Sequence, residues 1–557
     1  MMSGRPPVNP HRSGARPAGS TLWYAVIVER RPVQRHSSLT RATVAPAMIL
    51  AAAVTSAAAS PVPPAADGMI RAGLRDLHDG LYDRAETSFR QAARAVPGDP
   101  GPKLFIAFDL WWRILEDPAD QSRDRPFLEA IQEAVVAGDH LLQETPDDVR
   151  VRTTVGTAHI LRSQVEGLRH NFFKASQEAR RGKKSLEAVL AADSGYKDAL
   201  FGLGAYNYYT EKIPGLARGL LFMPHGDADL GLRQLKTLAQ SDSYFSTDAL
   251  LLLALICASR DEQCYGDSLA HLTQALRRSP GSPLILGTIA GLRTRLMDYP
   301  AAIEGFEKAL AAASGSGEER ARQRRILSLY LADALVADWR LARAADVLRD
   351  VGDADGLPGR DRQTLERVAR EIALKRGEPP GLLPAPAPGG SGSAGADPPV
   401  RNASGTAATP LVPLGERVHA ALRAHEAGRD IEALSILQAA AGDRPQHPLP
   451  RILAGRLLFL AGNDAGAARE MAAARERATD PPPWMAGSIE LYLGLAESHL
   501  GHHAAAREHF QAASQVKRFR SVERALLELQ EGSPPHGRCS SSAGREGERA
   551  GASGTRP

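Results

Sequence analysis

Acidic and histidine side chains that could support acid–base catalysis are spread over residues 100–223 and just beyond that region. Glu116, Glu166, His170, Glu211 and His225 are of the types that transfer protons in enzymes. Their spacing matches no catalytic motif, and the chain contains no Gly-rich phosphate loop, no H-E-x-x-H and no G-x-S-x-G. The sequence therefore favours a protein that is not an enzyme. An active site hidden in this irregular region is the alternative.

The three cysteines do not form a zinc-binding pattern. Cys257, Cys264 and Cys539 lack the close Cys or His pairs that such a site needs. Cys257 and Cys264 would form a bridge across a turn if the chain is exported, and otherwise they are a buried thiol and a loop thiol.

Other groups with metal-binding character also lack a complete ligand set. After Asp227 and Asp229, the next ligand positions of a calcium loop hold Gly231 and Leu238, which offer no side-chain oxygen. The pair His502 and His503 has no third ligand nearby in the sequence. We expect no metal and no cofactor.

The composition indicates an all-α protein. Only 5% of the 557 residues are aromatic, and the chain is rich in alanine, leucine and arginine, which suits helices packed through small side chains. The formal net charge of +4 comes from many residues of both signs. We expect no nucleic-acid partner, because charge so dispersed makes no basic surface.

The segment that precedes the repeats predicts the compartment. Arginines at positions 30, 31, 35 and 41 precede an apolar run, residues 44–59, that ends in small residues suited to cleavage. We predict a disordered leader and a signal peptide in residues 1–60, with the signal at about 30–59 and the true start codon downstream of Met1. The mature chain would then be exported to the periplasm or cell envelope.

A spaced pattern of small and bulky residues begins at Met69. The first unit of the pattern contains Gly73, Ala85, Phe89 and Pro97. Two later units begin at Ala421 and Gly455, which are 455 − 421 = 34 positions apart. This pattern resembles the tetratricopeptide repeat (TPR), in which two antiparallel helices pack through small residues and a bulky residue fills the gap beside them. The resemblance implies a solenoid of helical hairpins and no activity. The remaining repeat positions are Gly204, Gly231, Ala290, Ala302, Phe306, Ala433, Ala467, Gly494, Ala506 and Phe510.

Changes in composition divide the chain into two arrays. Residues 61–377 form an irregular N-terminal array that ends in an amphipathic cap helix, and residues 414–530 form a more regular C-terminal array. Residues 378–413, rich in Pro, Gly, Ala and Ser, predict a disordered linker, because they offer little apolar surface to bury. Residues 531–557 predict a disordered tail.

Stacked hairpins create a concave face lined by first helices, and such faces bind extended peptides or helices. In the C-terminal array, Arg456 and Phe459 are candidate partner-binding residues on this face. The resemblance thus implies a scaffold or adaptor that binds protein partners. Two arrays on one chain would add avidity.

One hairpin carries an insert at residues 208–224. Gly204 and Gly226 are 226 − 204 = 22 positions apart where the regular hairpin has 7, an insert of 22 − 7 = 15. Its Tyr-Tyr, Pro-Gly and Gly-Asp pairs resemble an insert of uncharacterised bacterial TPR-like envelope proteins. Tyr208, Tyr209, Leu221 and Phe222 are candidate contacts for a protein partner or, peripherally, for a membrane, with packing of the insert as a lid against its own array as the alternative.

Overall fold

A computed structural model describes residues 62–376, except 222, 224, 260, 353, 354 and 356, and residues 414–531, except 479, 480 and 517–519. All regular secondary structure within these residues is helical, as the composition predicts. None of the helices found there is both long enough and apolar enough to cross a membrane. The predicted signal peptide and linker lie outside the described residues, and so do Cys539, Phe222 and nearly all of the predicted tail.

The N-terminal array consists of antiparallel hairpins followed by a single helix. Its helices are α1 (Pro64–His78), α2 (Tyr82–Ala95), α3 (Pro100–Glu116), α4 (Asp124–Glu144), α5 (Val149–Leu168), α6 (Phe172–Ala192), α7 (Ala199–Lys212), α8 (Gly215–Leu220), α9 (Ala228–Ala239), α10 (Ser246–Cys257), α11 (Tyr265–Arg278), α12 (Pro283–Arg295), α13 (Tyr299–Ala312), α14 (Glu318–Ala337), α15 (Leu341–Val351) and α16 (Gly359–Arg376). The hairpins pair consecutive helices, except that α7 pairs with α9 and the short α8 lies between them.

The C-terminal array repeats the same arrangement on a smaller scale. Its helices are α17 (Leu414–Glu426), α18 (Asp430–Asp443), α19 (Leu449–Leu460), α20 (Asp464–Arg477), α21 (Pro483–His499), α22 (His503–Ser514) and α23 (Arg520–Glu531). Three hairpins stack side by side, and α23 packs against the last of them.

Contacts between a glycine and a bulky side chain hold the two helices of a hairpin together. A Cβ atom placed on Gly73 would lie 2.4 Å from the Phe89 ring, and one on Gly494 would lie 2.5 Å from Phe510. Any side chain here would collide with that ring, so the close approach of the helices requires glycine. In both hairpins the glycine and the aromatic residue are 16 positions apart, 89 − 73 and 510 − 494.

The hairpin with the insert keeps the same contact. Gly204 lies against Leu235, where a Cβ atom would come within 2.7 Å of the leucine side chain. These residues are 235 − 204 = 31 positions apart, which is 31 − 16 = 15 more than in the regular hairpins. The contact between Gly204 and Leu235 therefore implies an insert of 15 residues, the same length that the spacing of Gly204 and Gly226 predicts. Helix α7 ends at Lys212, directly before Ile213 and Pro214, because proline cannot continue the helix.

The other predicted repeat positions lie inside the hairpins, with one exception. Pro97 is exposed, in the turn after α2. The buried positions are Ala85, Gly231, Ala290, Ala302, Phe306, Ala421, Ala433, Gly455, Ala467 and Ala506.

The N-terminal array is curved, so that its first hairpin contacts hairpins that come much later in the sequence. The imidazole of His78, at the end of α1, lies 3.2 Å from the carboxylate of Asp248 on α10, and the hydroxyl of Ser282 donates to the His78 carbonyl at 2.7 Å. The amide of Gln323 on α14 donates to the Asp79 carbonyl at 2.8 Å. These contacts join residues up to 244 positions apart in the sequence.

Aromatic rings fill the inner side of this curl. Phe108 of α3 packs against Phe201 of α7 at 6.0 Å between ring centroids and against Phe245 at 5.3 Å, and Phe105 stacks on Phe245 at 5.6 Å. Phe105, Phe108 and Phe245 are all essentially inaccessible to solvent. The N-terminal array therefore has a closed aromatic core where an open solenoid would have a groove.

Candidate functional site

The candidate site lies on the first helices of the C-terminal array, around Arg456. Arg456 and Phe459 are three positions apart on α19, so they share one face of the helix. Tyr492 of the neighbouring first helix, α21, contacts both: its hydroxyl accepts a hydrogen bond from Arg456 Nε at 3.2 Å, and its ring meets Phe459 at 5.6 Å. The fold thus brings the two predicted groove residues together.

Two turns of the N-terminal array occupy this face. Arg456 donates through Nη2 to the Asp338 carboxylate and through Nη1 to the Asp338 carbonyl, the latter at 3.4 Å. Its guanidinium also lies 5.7 Å from the centre of the Tyr299 ring. Asp338 ends α14 and Tyr299 begins α13, so both belong to turns between helices. Arg456 is consequently only 7% exposed.

Further contacts surround this pair. The backbone N–H of Arg343, at the start of α15, donates to the Glu426 carboxylate at the end of α17, at 2.6 Å. Trp339 packs against the apolar core of the C-terminal array, and Met297, from the α12–α13 turn, packs against the next apolar cluster. The contact therefore has a buried charged pair at its centre and apolar side chains beside it.

Electrostatics favour the charged form of Arg456. Burial opposes the charge on Arg456, but Tyr492 and Asp338 together raise the pKa of the guanidinium above its usual value. The Asp338 carboxylate also accepts a hydrogen bond from Arg340 Nε at 2.8 Å, so its charge is balanced from both arrays. A buried ion pair is stable only when its hydrogen bonds are satisfied in this way.

Sequence reasoning found Arg456 and Phe459 but did not find Asp338. The available signal was an acidic residue followed by an aromatic one in two successive turns, Asp298-Tyr299 and Asp338-Trp339. Both turns face the C-terminal array. Arg456 was predicted to face an external partner. In this structure its guanidinium contacts Asp338 of its own chain, and binding of an external partner stays a prediction.

The tyrosines predicted to contact a partner from the insert belong to the helix that precedes it. Tyr208 is 3% exposed and donates its hydroxyl hydrogen to Glu262 at 3.1 Å, with the Lys212 ammonium 5.1 Å from its ring centre. Tyr209 meets Tyr208 at 5.1 Å and is partly buried against the N-terminal core. This corrects the prediction for Tyr208, whose ring is covered by its own array. Leu221 is partly buried, and Phe222 is outside the described residues.

The residues of the alternative catalytic hypothesis do not converge. Glu116 lines a cavity of about 160 Å³ between α3, α12 and α14, and it accepts a hydrogen bond from Tyr82 at 2.9 Å. Glu166 pairs with Lys174 at 2.5 Å on the α5–α6 hairpin.

Of the other three residues, Glu211 and His225 lie at the insert, where Gly226 packs against the Glu211 backbone, and His170 lies in a different turn. Glu211 accepts a hydrogen bond from the Ala228 backbone, and His225 contacts Arg218 at 3.1 Å. His170 is exposed in the α5–α6 turn. The glutamates and His225 each have a local structural contact, and the five residues do not come together in one active site.

Metal-ligand geometry occurs once among the described residues. Cys257, Cys264 and Asp267 place one ligand atom each within 4.8 Å of the others. Asp227, considered above for calcium, instead caps α9 by accepting a hydrogen bond from the Leu230 backbone at 2.8 Å. His502 contacts Glu497 at 2.6 Å in an exposed turn.

Comparisons with known proteins give distant matches among solved structures. No protein-family model matches the chain, and no curated protein matches it. Matching solved structures include yeast Tom70, which is 11% identical, with 84% of this chain and 95% of that chain covered and a TM-score of 0.23. A TPR protein from Parabacteroides merdae is 14% identical over 54% of this chain and 99% of its own, with a TM-score of 0.26. A thermophilic TPR protein from Thermus thermophilus is 18% identical over 49% and 100%, with a TM-score of 0.20.

Identities and TM-scores this low carry no argument. The packing and the repeat spacing of the chain itself indicate its fold. Its hairpins stack side by side, two successive units are 455 − 421 = 34 positions apart, and small residues meet bulky ones inside several hairpins. The described part of the chain therefore has the all-helical solenoid fold of tetratricopeptide-repeat proteins.

Proposed function

We propose that the protein is a non-enzymatic interaction scaffold whose C-terminal array binds turns or short helical segments of partner proteins around Arg456. The contact between Arg456 and Asp338 carries this proposal. The face that holds Asp338 and Trp339 already combines a buried cation with apolar flanks, the chemistry needed to bind an acidic turn next to an aromatic residue.

A partner would compete with the chain's own turns. Its carboxylate would take the place of Asp338 on Arg456, and its apolar residue would take the place of Trp339. Because the two arrays are separate in sequence, displacement of the N-terminal turns leaves the hairpins of each array intact. Linkage then requires that a change in the N-terminal turns that weakens the internal contact strengthens partner binding.

Two substitutions with opposite expected effects test the proposal. Asp338→Ala removes the internal carboxylate and should increase the amount of partner captured from envelope extracts by cross-linking, whereas Arg456→Ala should abolish capture. Arg451→Ala is the matched control, because Arg451 pairs with Glu470 inside the C-terminal array at 2.9 Å. Circular dichroism would check that each variant is folded. Equal capture by the Arg456→Ala variant and the unchanged protein would contradict the proposal.

We also propose that the scaffold works in the bacterial cell envelope. The apolar run at residues 44–59 after a cluster of arginines supports export. N-terminal sequencing of the mature protein should find a start near Ser60, and an intact Met1 would rule out cleavage.

The insert at residues 208–224 is a second contact region in this proposal, with peripheral membrane binding as one use. Leu221→Ser should weaken sedimentation with anionic lipid vesicles, or the capture of a partner, without unfolding the protein. Unchanged binding in both assays would leave the insert with a packing role alone.

A further inference from the structure

Two of the three cysteines of this 557-residue chain are neighbours in space. Their sulfur atoms lie within 4.8 Å of each other, and both residues are thiols in this structure. Cys257 is the last residue of α10, and Cys264 directly precedes α11. The hairpin therefore brings the pair together at its turn.

The backbone around this pair is already in the arrangement that a disulfide needs. The N–H of Cys264 donates to the carbonyl oxygen of Cys257 at 2.8 Å. Only a C=O group, this hydrogen bond and an N–Cα bond separate the two α-carbons, which keeps them within the roughly 4.4–6.8 Å that disulfides span. Oxidation thus requires rotation of side chains and no movement of helices.

The surroundings favour reaction at one sulfur. Cys264 stands at the N-terminus of the 14-residue α11, where backbone N–H groups stabilise negative charge on a thiolate. It is 7% exposed, whereas Cys257 is fully buried. An external oxidant would therefore meet Cys264 first, and Cys257 would complete the exchange.

We propose that Cys257 and Cys264 form an intramolecular disulfide when the protein meets an oxidising thiol–disulfide pool. The Cys264 thiolate attacks a disulfide such as oxidised glutathione, forms a mixed disulfide and releases one glutathione thiolate. The Cys257 thiolate then attacks the Cys264 sulfur and releases the second glutathione. Two thiol protons leave the protein, two electrons pass to the oxidant, and one S–S bond forms.

The disulfide would stabilise the contact between α11 of the N-terminal array and α23 of the C-terminal array. Gly266 lies two residues after Cys264, at the start of α11. A Cβ atom added to Gly266 would lie 3.6 Å from the side chain of Leu527 on α23. Helix α23 packs against α11 and α12. Because the bridge closes the turn at the start of α11, it restrains the surface on which the last helix of the C-terminal array rests.

The test uses the full-length protein, reduced and then incubated while folded with oxidised glutathione. After alkylation and peptide mapping we expect a peptide linked through Cys257 and Cys264, alkylation of Cys539 alone, and a melting temperature a few degrees higher than that of the reduced protein. Cys539→Ser is the matched control and should keep the link. Cys257→Ser and Cys264→Ser should each lose both the link and the rise in melting temperature.

Two results would overturn the inference. In one, both thiols remain open to alkylation after oxidation of the folded protein, although the denatured chain oxidises under the same conditions. In the other, Zn²⁺ added in equimolar amount is retained through gel filtration and blocks the oxidation, which would make Cys257, Cys264 and Asp267 a metal site.

Discussion

The two arrays are built from the same hairpin but differ on their inner faces. In the N-terminal array, aromatic rings such as Phe105, Phe108 and Phe245 fill the space enclosed by the helices. In the C-terminal array, the corresponding face carries Arg456 and Tyr492, and turns of the first array rest on it. The comparison shows that the repeat positions determine the hairpin, whereas the other residues of the first helices determine whether the inner face is an aromatic core or a polar surface.

The largest expected effect comes from opening the aromatic core. Phe108→Ala should lower the free energy of unfolding by about 3–5 kcal/mol, because it leaves a cavity among rings that cannot collapse together. Phe459→Ala is the matched change on the C-terminal face and should cost no more than roughly half as much, because Phe459 is only partly buried there. Thermal and urea unfolding would measure both. Equal losses would mean that the two faces pack alike.

The next effect concerns the hairpins, where the arrays should behave alike. Gly73→Ala and Gly494→Ala should each destabilise the protein by about 1–3 kcal/mol, because the added methyl group collides with Phe89 or Phe510. Gly68→Ala, on the same helix as Gly73, should stabilise by about 0.5–1 kcal/mol, since nothing lies within 4 Å of its new Cβ atom. Urea denaturation tests all three, and a gain from Gly73→Ala would contradict the packing described here.

Another expected effect is the response of the N-terminal array to pH. Burial raises the pKa of Asp109 in α3 to about 8, against the opposing charge of Arg113. The folded state therefore keeps this proton to higher pH than the unfolded state does. Its contribution to stability is complete below about pH 4 and is lost as the pH rises through about 8, by at most about 1.4 kcal/mol per pH unit.

The Asn side chain of the Asp109→Asn variant does not titrate. Comparing this variant with the unchanged protein therefore isolates the contribution of the Asp109 proton to stability. The difference in unfolding free energy between the variant and the unchanged protein should shift in favour of the variant as the pH rises from 5 to 9. A difference that stays constant over this range would show that Arg113 keeps Asp109 ionised. Arg113 Nε lies 2.8 Å from the Asp109 carboxylate.

The smallest effect tests the packing of the helix that leads into the insert. Tyr208→Phe removes one hydrogen bond to Glu262, which Lys212 still contacts at 2.6 Å. We expect a loss of about 0.5–1.5 kcal/mol in the free energy of unfolding. No loss of stability, together with weaker binding of a partner, would instead make the Tyr208 hydroxyl part of a contact surface.

Residues close in sequence allowed much of the architecture to be predicted. The small and bulky positions predicted the hairpins and even the length of the insert, and an amphipathic pattern predicted the cap helix, because each depends on contacts within one or two helices. The burial of Tyr208 could not be predicted in the same way. Whether a tyrosine at a hairpin end faces solvent or its own array depends on Glu262, 54 positions away.

The candidate site shows the same division. The helical period put Arg456 and Phe459 on one face of α19, and the adjacent repeat put Tyr492 beside them. The partner of Arg456 is Asp338, which lies 118 positions earlier and on the other side of the linker.

By itself, the sequence determined that this is an all-helical TPR-like chain in two arrays, because the repeat pattern acts within the span of a single hairpin. The tertiary structure decided which inner face is filled by aromatic rings and which is covered by turns of the other array, and it placed Cys257 beside Cys264. These outcomes depend on how far the solenoid curls and on which turns meet. Curvature adds up from small rotations at every step, so no single repeat contains it.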